Sequence, residues 1–208
     1  MKNTTTYYQF ILDVSGSMSN IRFETIESYN AHVKQIQALK KDFPNQEFLV
    51  SLCLFNDHIK SIFEDIHLEH VSLITPEDYM PNGSTALLDA IGKCTFRIKQ
   101  DHGKDINAGK ASVVTVIITD GEENASRVFN YLEVSKMIKD LEKTENWTFT
   151  FLGAEINAEL LGKMLSIKRQ NTKTFMKDEI HNTMAEISHS MRAYASHKER
   201  GERKKWFF

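Results

Sequence analysis

Ser112-Val113-Val114-Thr115-Val116-Ile117-Ile118-Thr119, followed at once by Asp120-Gly121, is the stretch on which the fold turns. Branching at Cβ favours extended backbone, and apolar side chains at both alternating sets of positions mark a strand covered on its two faces, as in parallel sheets. Asp-Gly then supplies a turn. Such a strand needs helices above and below it, so the flanking sequence must provide them.

Upstream, residues 7–13 read as another buried strand, running into Asp13-Val14-Ser15-Gly16-Ser17. Residues 20–42 read as one long helix, with Ile21, Ile26, Val33, Ile36 and Leu39 at helical spacing until Phe43-Pro44-Asn45 stops it. Residues 48–55 form a second apolar strand, and after the Asn56-Asp57 turn residues 58–63 read as its hairpin partner at a sheet edge. Pro76, Pro81 and Gly83 break residues 64–84, and Thr85 stands where that loop enters a helix from Ala86 to about Gln100, with a polar loop over 101–110. Downstream, the patterns predict a helix over 129–144, a strand over 147–152, a short helix over 157–165, a weak strand over 172–176 and a last helix over 178–197. This alternation predicts an α/β fold: a doubly wound, mostly parallel central sheet with one antiparallel edge strand, helices on both faces, and ligands beyond the carboxyl ends of the strands.

Composition sets further bounds. The 208 residues are 41% hydrophobic, enough for one sizeable core, so residues 1–197 are expected to form a single domain followed by a basic-aromatic tail over 198–208. A formal charge of −2 gives no global basic field for nucleic acid, and no run is apolar enough for a membrane span. The N-terminus has no apolar leader, and a cytoplasmic protein is expected. Cys53 and Cys94 both fall in apolar elements and are expected to be buried free thiols.

Asp13, Ser15 and Ser17 place one carboxylate and two hydroxyls at alternate positions after a strand. A hard cation such as Mg2+ takes oxygen ligands in this manner, although a Ser-capped turn explains the five residues equally well. Thr85, before a helix, and Asp120, after the central strand, bring oxygens to the same sheet edge. Together the five positions resemble the metal-ion-dependent adhesion site of the von Willebrand factor A domain family, Asp-x-Ser-x-Ser with a distant Thr and a distant Asp. Asp13, Ser15 and Ser17 match the first element, Thr85 within Asn82-Gly83-Ser84-Thr85-Ala86-Leu87-Leu88-Asp89-Ala90 the second, and Asp120 within Ile118-Thr119-Asp120-Gly121-Glu122 the third, over about residues 7–195.

The resemblance implies Mg2+, with Mn2+ or Ca2+ as substitutes, held by the Ser15, Ser17 and Thr85 hydroxyls and by Asp13 and Asp120 directly or through water. It also implies a non-enzymatic, cation-dependent protein-binding module completed by an Asp or Glu of a partner protein. Two carboxylates and three neutral hydroxyls leave a divalent ion attractive to one more anionic oxygen. The chain is similar in this respect to stand-alone cytoplasmic A-domain proteins of bacteria and phages. The competing readings are a metal-dependent hydrolase, for which Glu122, Glu123 or a histidine would supply the acid/base, and a structural subunit of an ATPase-associated complex.

Three further features carry expectations. Asp89, one helical turn after Thr85, either orients the Thr85 loop or complements its helix N-terminus. Glu122 and Glu123, with Asn124, either rim the site or form a solvated loop. Trp206, Phe207 and Phe208 either pack on their own domain or dock on a partner or a second copy.

Overall fold

The apolar run at the centre of the sequence becomes β4 (Ala111–Thr119), with all nine residues buried. In the computed structural model, which describes residues 4–202 and 207–208, β4 pairs in parallel with β1 (Thr4–Asp13) on one side and β5 (Trp147–Ala154) on the other. Beyond β1 lie β2 (Gln46–Phe55), parallel, and β3 (Ile59–His67), antiparallel; beyond β5 lies β6 (Thr172–Phe175), parallel. The six-stranded sheet has the order β3-β2-β1-β4-β5-β6, a mostly parallel α/β sheet with one antiparallel edge. Winding reverses between β1 and β4, which opens a crevice beyond their carboxyl ends.

Two cores sandwich the sheet, and the period-two geometry of β1 divides its side chains between them. Tyr8, Phe10 and Leu12 point to one face, under α1 (Arg22–Gln37) and α6 (Ile180–Glu199), where Tyr29, Val33, Met184, Ile187 and Met191 are buried. Tyr7 and Ile11 point to the other, under α3 (Leu87–Asn107), α4 (Tyr131–Glu142) and α5 (Ala158–Met164). Each fully buried Val, Ile or Phe contributes roughly 1.5–3 kcal/mol, so the β4 run alone anchors both layers. Cys53 and Cys94 are buried free thiols on the second face.

Several boundaries differ from those the sequence predicts. The helix expected over 20–42 is three pieces: a 3-10 segment (Gly16–Ile21), α1, and a short α2 (Leu39–Asp42) after a break at Ala38. α3 continues to Asn107 and absorbs most of the expected polar loop, because Ile106 extends the apolar stripe of Ile91, Cys94 and Ile98. It ends where Gly109, at φ +69°, sends its N–H to the Ile106 carbonyl and Lys110 donates to Asp105, a Schellman closure. β3 is longer than the expected 58–63 run, and its pairing with β2 shifts register at Leu52, near Asp65 at φ +49°.

The tail expectation also needs correction. α6 runs through Lys198 to Glu199, so the tail begins after it. Phe207 is fully buried in the chain's own core, its N–H donating to Asn171 Oδ1 at 2.7 Å, and Phe208 is half-buried edge-on to it. Phe207 is thus packed on its own domain, one of the two expected alternatives, and Phe208 lies against it; Trp206 lies outside the described residues. Among the described residues no helix is long and apolar enough to cross a membrane.

Candidate metal centre

Parallel register brings the first and third motifs together. Leu12 lies opposite Ile118, so Asp13 and Thr119 end adjacent strands and Asp120 is the next residue outward. Thr119 Oγ1 donates to Asp13 Oδ2 at 2.5 Å, and the Ser15 N–H donates to Asp13 Oδ1 at 2.6 Å, so the carboxylate is fixed from two sides. Tyr79, wholly buried, donates its hydroxyl to the Asp13 carbonyl at 2.7 Å. Beside Asp13, Ser15 Oγ and Ser17 Oγ are 3.2 Å apart, and Ser17 Oγ donates to Asp120 Oδ1 at 2.6 Å.

Thr85 arrives on a separately braced loop. The Gly16 N–H reaches the Gly83 carbonyl, Asn82 N–H the Val14 carbonyl, and Ala86 N–H the Asn56 carbonyl, at 3.1, 3.0 and 2.8 Å. Asn124 Oδ1 accepts the Thr85 N–H at 2.8 Å, while the Asn124 and Ala125 N–H groups return to the Thr85 carbonyl. The loop after β4 therefore holds Thr85 on both sides of its peptide.

Asp89 and Glu123 complete that brace, in roles other than the expected ones. The Asp89 carboxylate accepts the N–H groups of Arg127, Val128 and Phe129 at 2.8–3.0 Å, pinning the loop after β4 rather than the Thr85 loop or its own helix N-terminus. Glu123 turns inward: its carboxylate accepts from Leu88, Ala125 and Ser126 N–H and from Ser126 Oγ, all within 2.9 Å. It thus caps the first turn of α3, and it is unavailable as a rim charge or as a hydrolytic acid/base. Glu122 is exposed at the edge.

The floor of this crevice is buried and its mouth is open: Asp13, Ser15, Thr85 and Asp120 are buried and Ser17 is exposed. Burial pushes the Asp13 carboxyl up to about 6, against the hydrogen bonds from Thr119 and Ser15 that act to lower it. Asp120 Oδ2 is buried with no aligned hydrogen-bond donor, although the Lys177 ammonium lies 2.6 Å from it as an ion pair. A buried anionic oxygen that already draws an ammonium suits a cation. The cradle is tight enough to need Gly121, since a Cβ there would lie 2.7 Å from Thr85 Oγ1 and 3.6 Å from Asp13 Oδ2. Oxygens around an octahedral Mg2+ at roughly 2.1 Å stand about 3 Å apart, and the Ser15–Ser17–Asp120 spacings are of that size.

A sequence profile of the von Willebrand factor type A domain matches residues 9–189. The chain belongs to the von Willebrand factor type A domain family. Among solved structures, this A domain is similar to the proximal thread matrix protein 1 of the mussel byssus at 12% identity and a TM-score of 0.62, over 93% of this chain and 47% of that one. It is also similar to the pilus adhesin SpaC of Lactobacillus rhamnosus GG in its open conformation (10% identity, TM-score 0.70, 92% of this chain and 30% of that). A third similar structure is the manganese-loaded TRAP protein of Plasmodium vivax, at 15% identity and a TM-score of 0.56, over 87% of this chain and 71% of that one. The byssus protein has also been solved with zinc in its MIDAS motif. This A domain thus spans about half the length of the first of these relatives. No curated protein is similar enough in sequence to be matched.

Sequence reasoning missed Thr119, Tyr79 and Lys177, and it left Asn124 between the rim and a solvated loop, whereas Asn124 holds the Thr85 peptide. Thr119 alone had a legible signal, as the last strand residue beside Asp120. A direct check of the cradle is Gly121→Ala, whose methyl must push the Thr85 hydroxyl aside. Divalent-cation affinity by calorimetry is expected to fall by roughly 10–100-fold, the range for disturbed ligand support. Unchanged affinity would take Thr85 out of the ligand set.

Proposed function

We propose that this A domain is a non-enzymatic protein-binding module whose affinity for its partner depends on a divalent cation, Mg2+ first, with Mn2+ or Ca2+ able to substitute. Asp13, Ser15, Ser17, Thr85 and Asp120 would hold the ion, which when bound supplies a Lewis-acidic position for one more oxygen. The single observation that carries this reading is the convergence of oxygens from three separately braced loops on a buried floor, with the exposed Ser17 at its mouth. An Asp or Glu side chain of a partner protein is the anionic oxygen that fits such a mouth, because three of the five ligands are neutral hydroxyls and surround the ion with less negative charge than a carboxylate cage would. The mussel protein with its zinc-occupied motif and the manganese-loaded TRAP protein support the choice of a divalent ion.

This chain's own residues do the positioning. Thr119 and the Ser15 N–H orient the Asp13 carboxylate, Asn124 holds Thr85, and Asp89 and Glu123 keep the loop after β4 from swinging away. The test has two steps. Calorimetric titration with Mg2+ and Mn2+ should show one site in the wild-type protein and none in Asp120→Ala. Partners captured from the source cells in Mg2+ should then elute with chelator and fail to bind Asp120→Ala. Retention through chelation would overturn the cation-dependent reading.

A further inference from the structure

Lys177 is the one cationic side chain that reaches into the metal centre among the described residues, and no element of the motif calls for it. It opens a 3-10 turn (Lys177–Glu179) that leads directly into α6. Its ammonium lies 2.6 Å from Asp120 Oδ2 and donates to the Ser17 carbonyl at 3.2 Å, so it clasps both the first and the third motif loops. The Lys177 side chain is 20% exposed and the Asp120 carboxylate is 0% exposed, so the ion pair is buried on its Asp120 side. The turn that carries it is itself fixed: Met176 N–H donates to Glu179 Oε2 at 3.0 Å, and Glu179 N–H to the Met176 carbonyl at 2.8 Å. Asp120 has one oxygen engaged by Ser17, and the other is the atom that Lys177 approaches.

We propose that Lys177 is a resident cation of this centre: a divalent ion must displace its ammonium from Asp120 Oδ2, and until then Lys177 holds the turn that leads into α6 against the site. The inference rests on the reading of Asp120 as a metal ligand. One carboxylate oxygen cannot stay in contact with both an ammonium and a dication without strong repulsion between them, least of all where water is excluded. The ammonium is also tethered, so it competes at a high effective concentration whatever the bulk ionic strength. The result is a site with two exclusive occupants, and one of them is built into the element that starts the last helix. Displacing Lys177 also removes its hydrogen bond to Ser17 and so releases the turn over 177–179 from the first motif loop.

Wild-type protein, Lys177→Met and Lys177→Arg separate this from a packing role. Met keeps the length and apolar stem without the charge, and Arg keeps the charge. Calorimetric titration with Mg2+ and Mn2+ at neutral pH is expected to show Lys177→Met binding roughly tenfold or more tighter than wild type, with Lys177→Arg close to wild type. Amide hydrogen exchange over residues 177–181 is expected to quicken with Mg2+ in wild type and to be quick at every Mg2+ concentration in Lys177→Met. Equal or weaker binding by Lys177→Met would overturn the role of Lys177 while leaving the metal centre standing. Absence of binding in all of these proteins would overturn the metal centre, and this inference with it.

Discussion

Asp13→Asn is expected to melt at a higher temperature than the wild-type protein in chelator, and to be indifferent to Mg2+. Asp13 is fully buried, and desolvation raises its carboxyl to about 6. The folded value stands above the unfolded one, near 3.9, so the ionised carboxylate opposes folding. The penalty is absent at acid pH, grows between the two values, and is complete above the folded one. A displacement of about two units corresponds to about 3 kcal/mol at neutral pH, or roughly 6–12 °C in Tm for a chain of this size. Asn removes the charge and keeps the geometry, because its carbonyl accepts the Ser15 N–H and its amide faces Thr119 Oγ1. In the wild-type protein Mg2+ should recover the lost stability, by about 2.7 kcal/mol at a hundredfold excess over Kd. Thermal melts with and without Mg2+ check both halves, and a Mg2+ response that survives in Asp13→Asn would remove Asp13 from the site.

The second large effect lies in the opposite core. His32 is 1% exposed, sits edge-on to Phe10, and shares a 2.7 Å hydrogen bond between its Nδ1 and Ser188 Oγ. Ser188 Oγ donates its one proton to the Met184 carbonyl, so His32 Nδ1 carries the hydrogen and Nε2 is left bare, without a partner. A second proton would place an unpaired charge in the core, and burial accordingly lowers the His32 value to about 3. Here the folded value lies below the unfolded one, near 6.5, so stability is intact above about 6.5 and falls as the unfolded chain takes up a proton that the folded chain refuses. Between about pH 7.5 and about pH 5 the loss amounts to about 2 kcal/mol. Asp13 acts the other way over the same interval, by about 1 kcal/mol, so the quantity to measure is the difference between wild type and His32→Leu. Denaturant titrations at the two pH values should show His32→Leu closing that gap by about 2 kcal/mol, and parallel pH profiles would refute the account. Ser188 keeps its bond to Met184 in the variant, which limits the side effects.

Much of the architecture was legible because it is written locally. Strongly apolar runs ended by Asp-Gly or by Asp-Val-Ser-Gly-Ser specify strands and their exits, and an alternation of such runs with helical stripes leaves few topologies open. The misplaced boundaries have local energetics that tertiary contacts overrule. α3 runs past Gly103 because Ile106 can be buried under the sheet, whereas the helix expected over 20–42 breaks at Ala38 although its apolar spacing continues. The sequence leaves Phe207 between packing on its own domain and docking elsewhere, and it lies in the core, beside a partner 36 residues away in the chain.

The same division holds at the site. The placing of Asp13, Ser15, Ser17, Thr85 and Asp120 at one sheet edge was legible in the sequence, because strand ends in a doubly wound sheet share an edge. Their support could not: Asp89 on the 127–129 backbone, Glu123 on the start of α3, Asn124 on Thr85 and Lys177 on Asp120 are pairings between loops far apart in the chain. By itself the sequence determined the sheet, the edge where ligands gather and the oxygens that meet there, since period-two burial and turn residues depend on neighbours in the chain. Which carboxylates line the crevice, which are consumed in bracing loops, and the placing of an ammonium from the turn before α6 on Asp120 depend on contacts between distant segments. Hydrogen bonds and charges act over a few ångströms of space, whatever the distance along the chain.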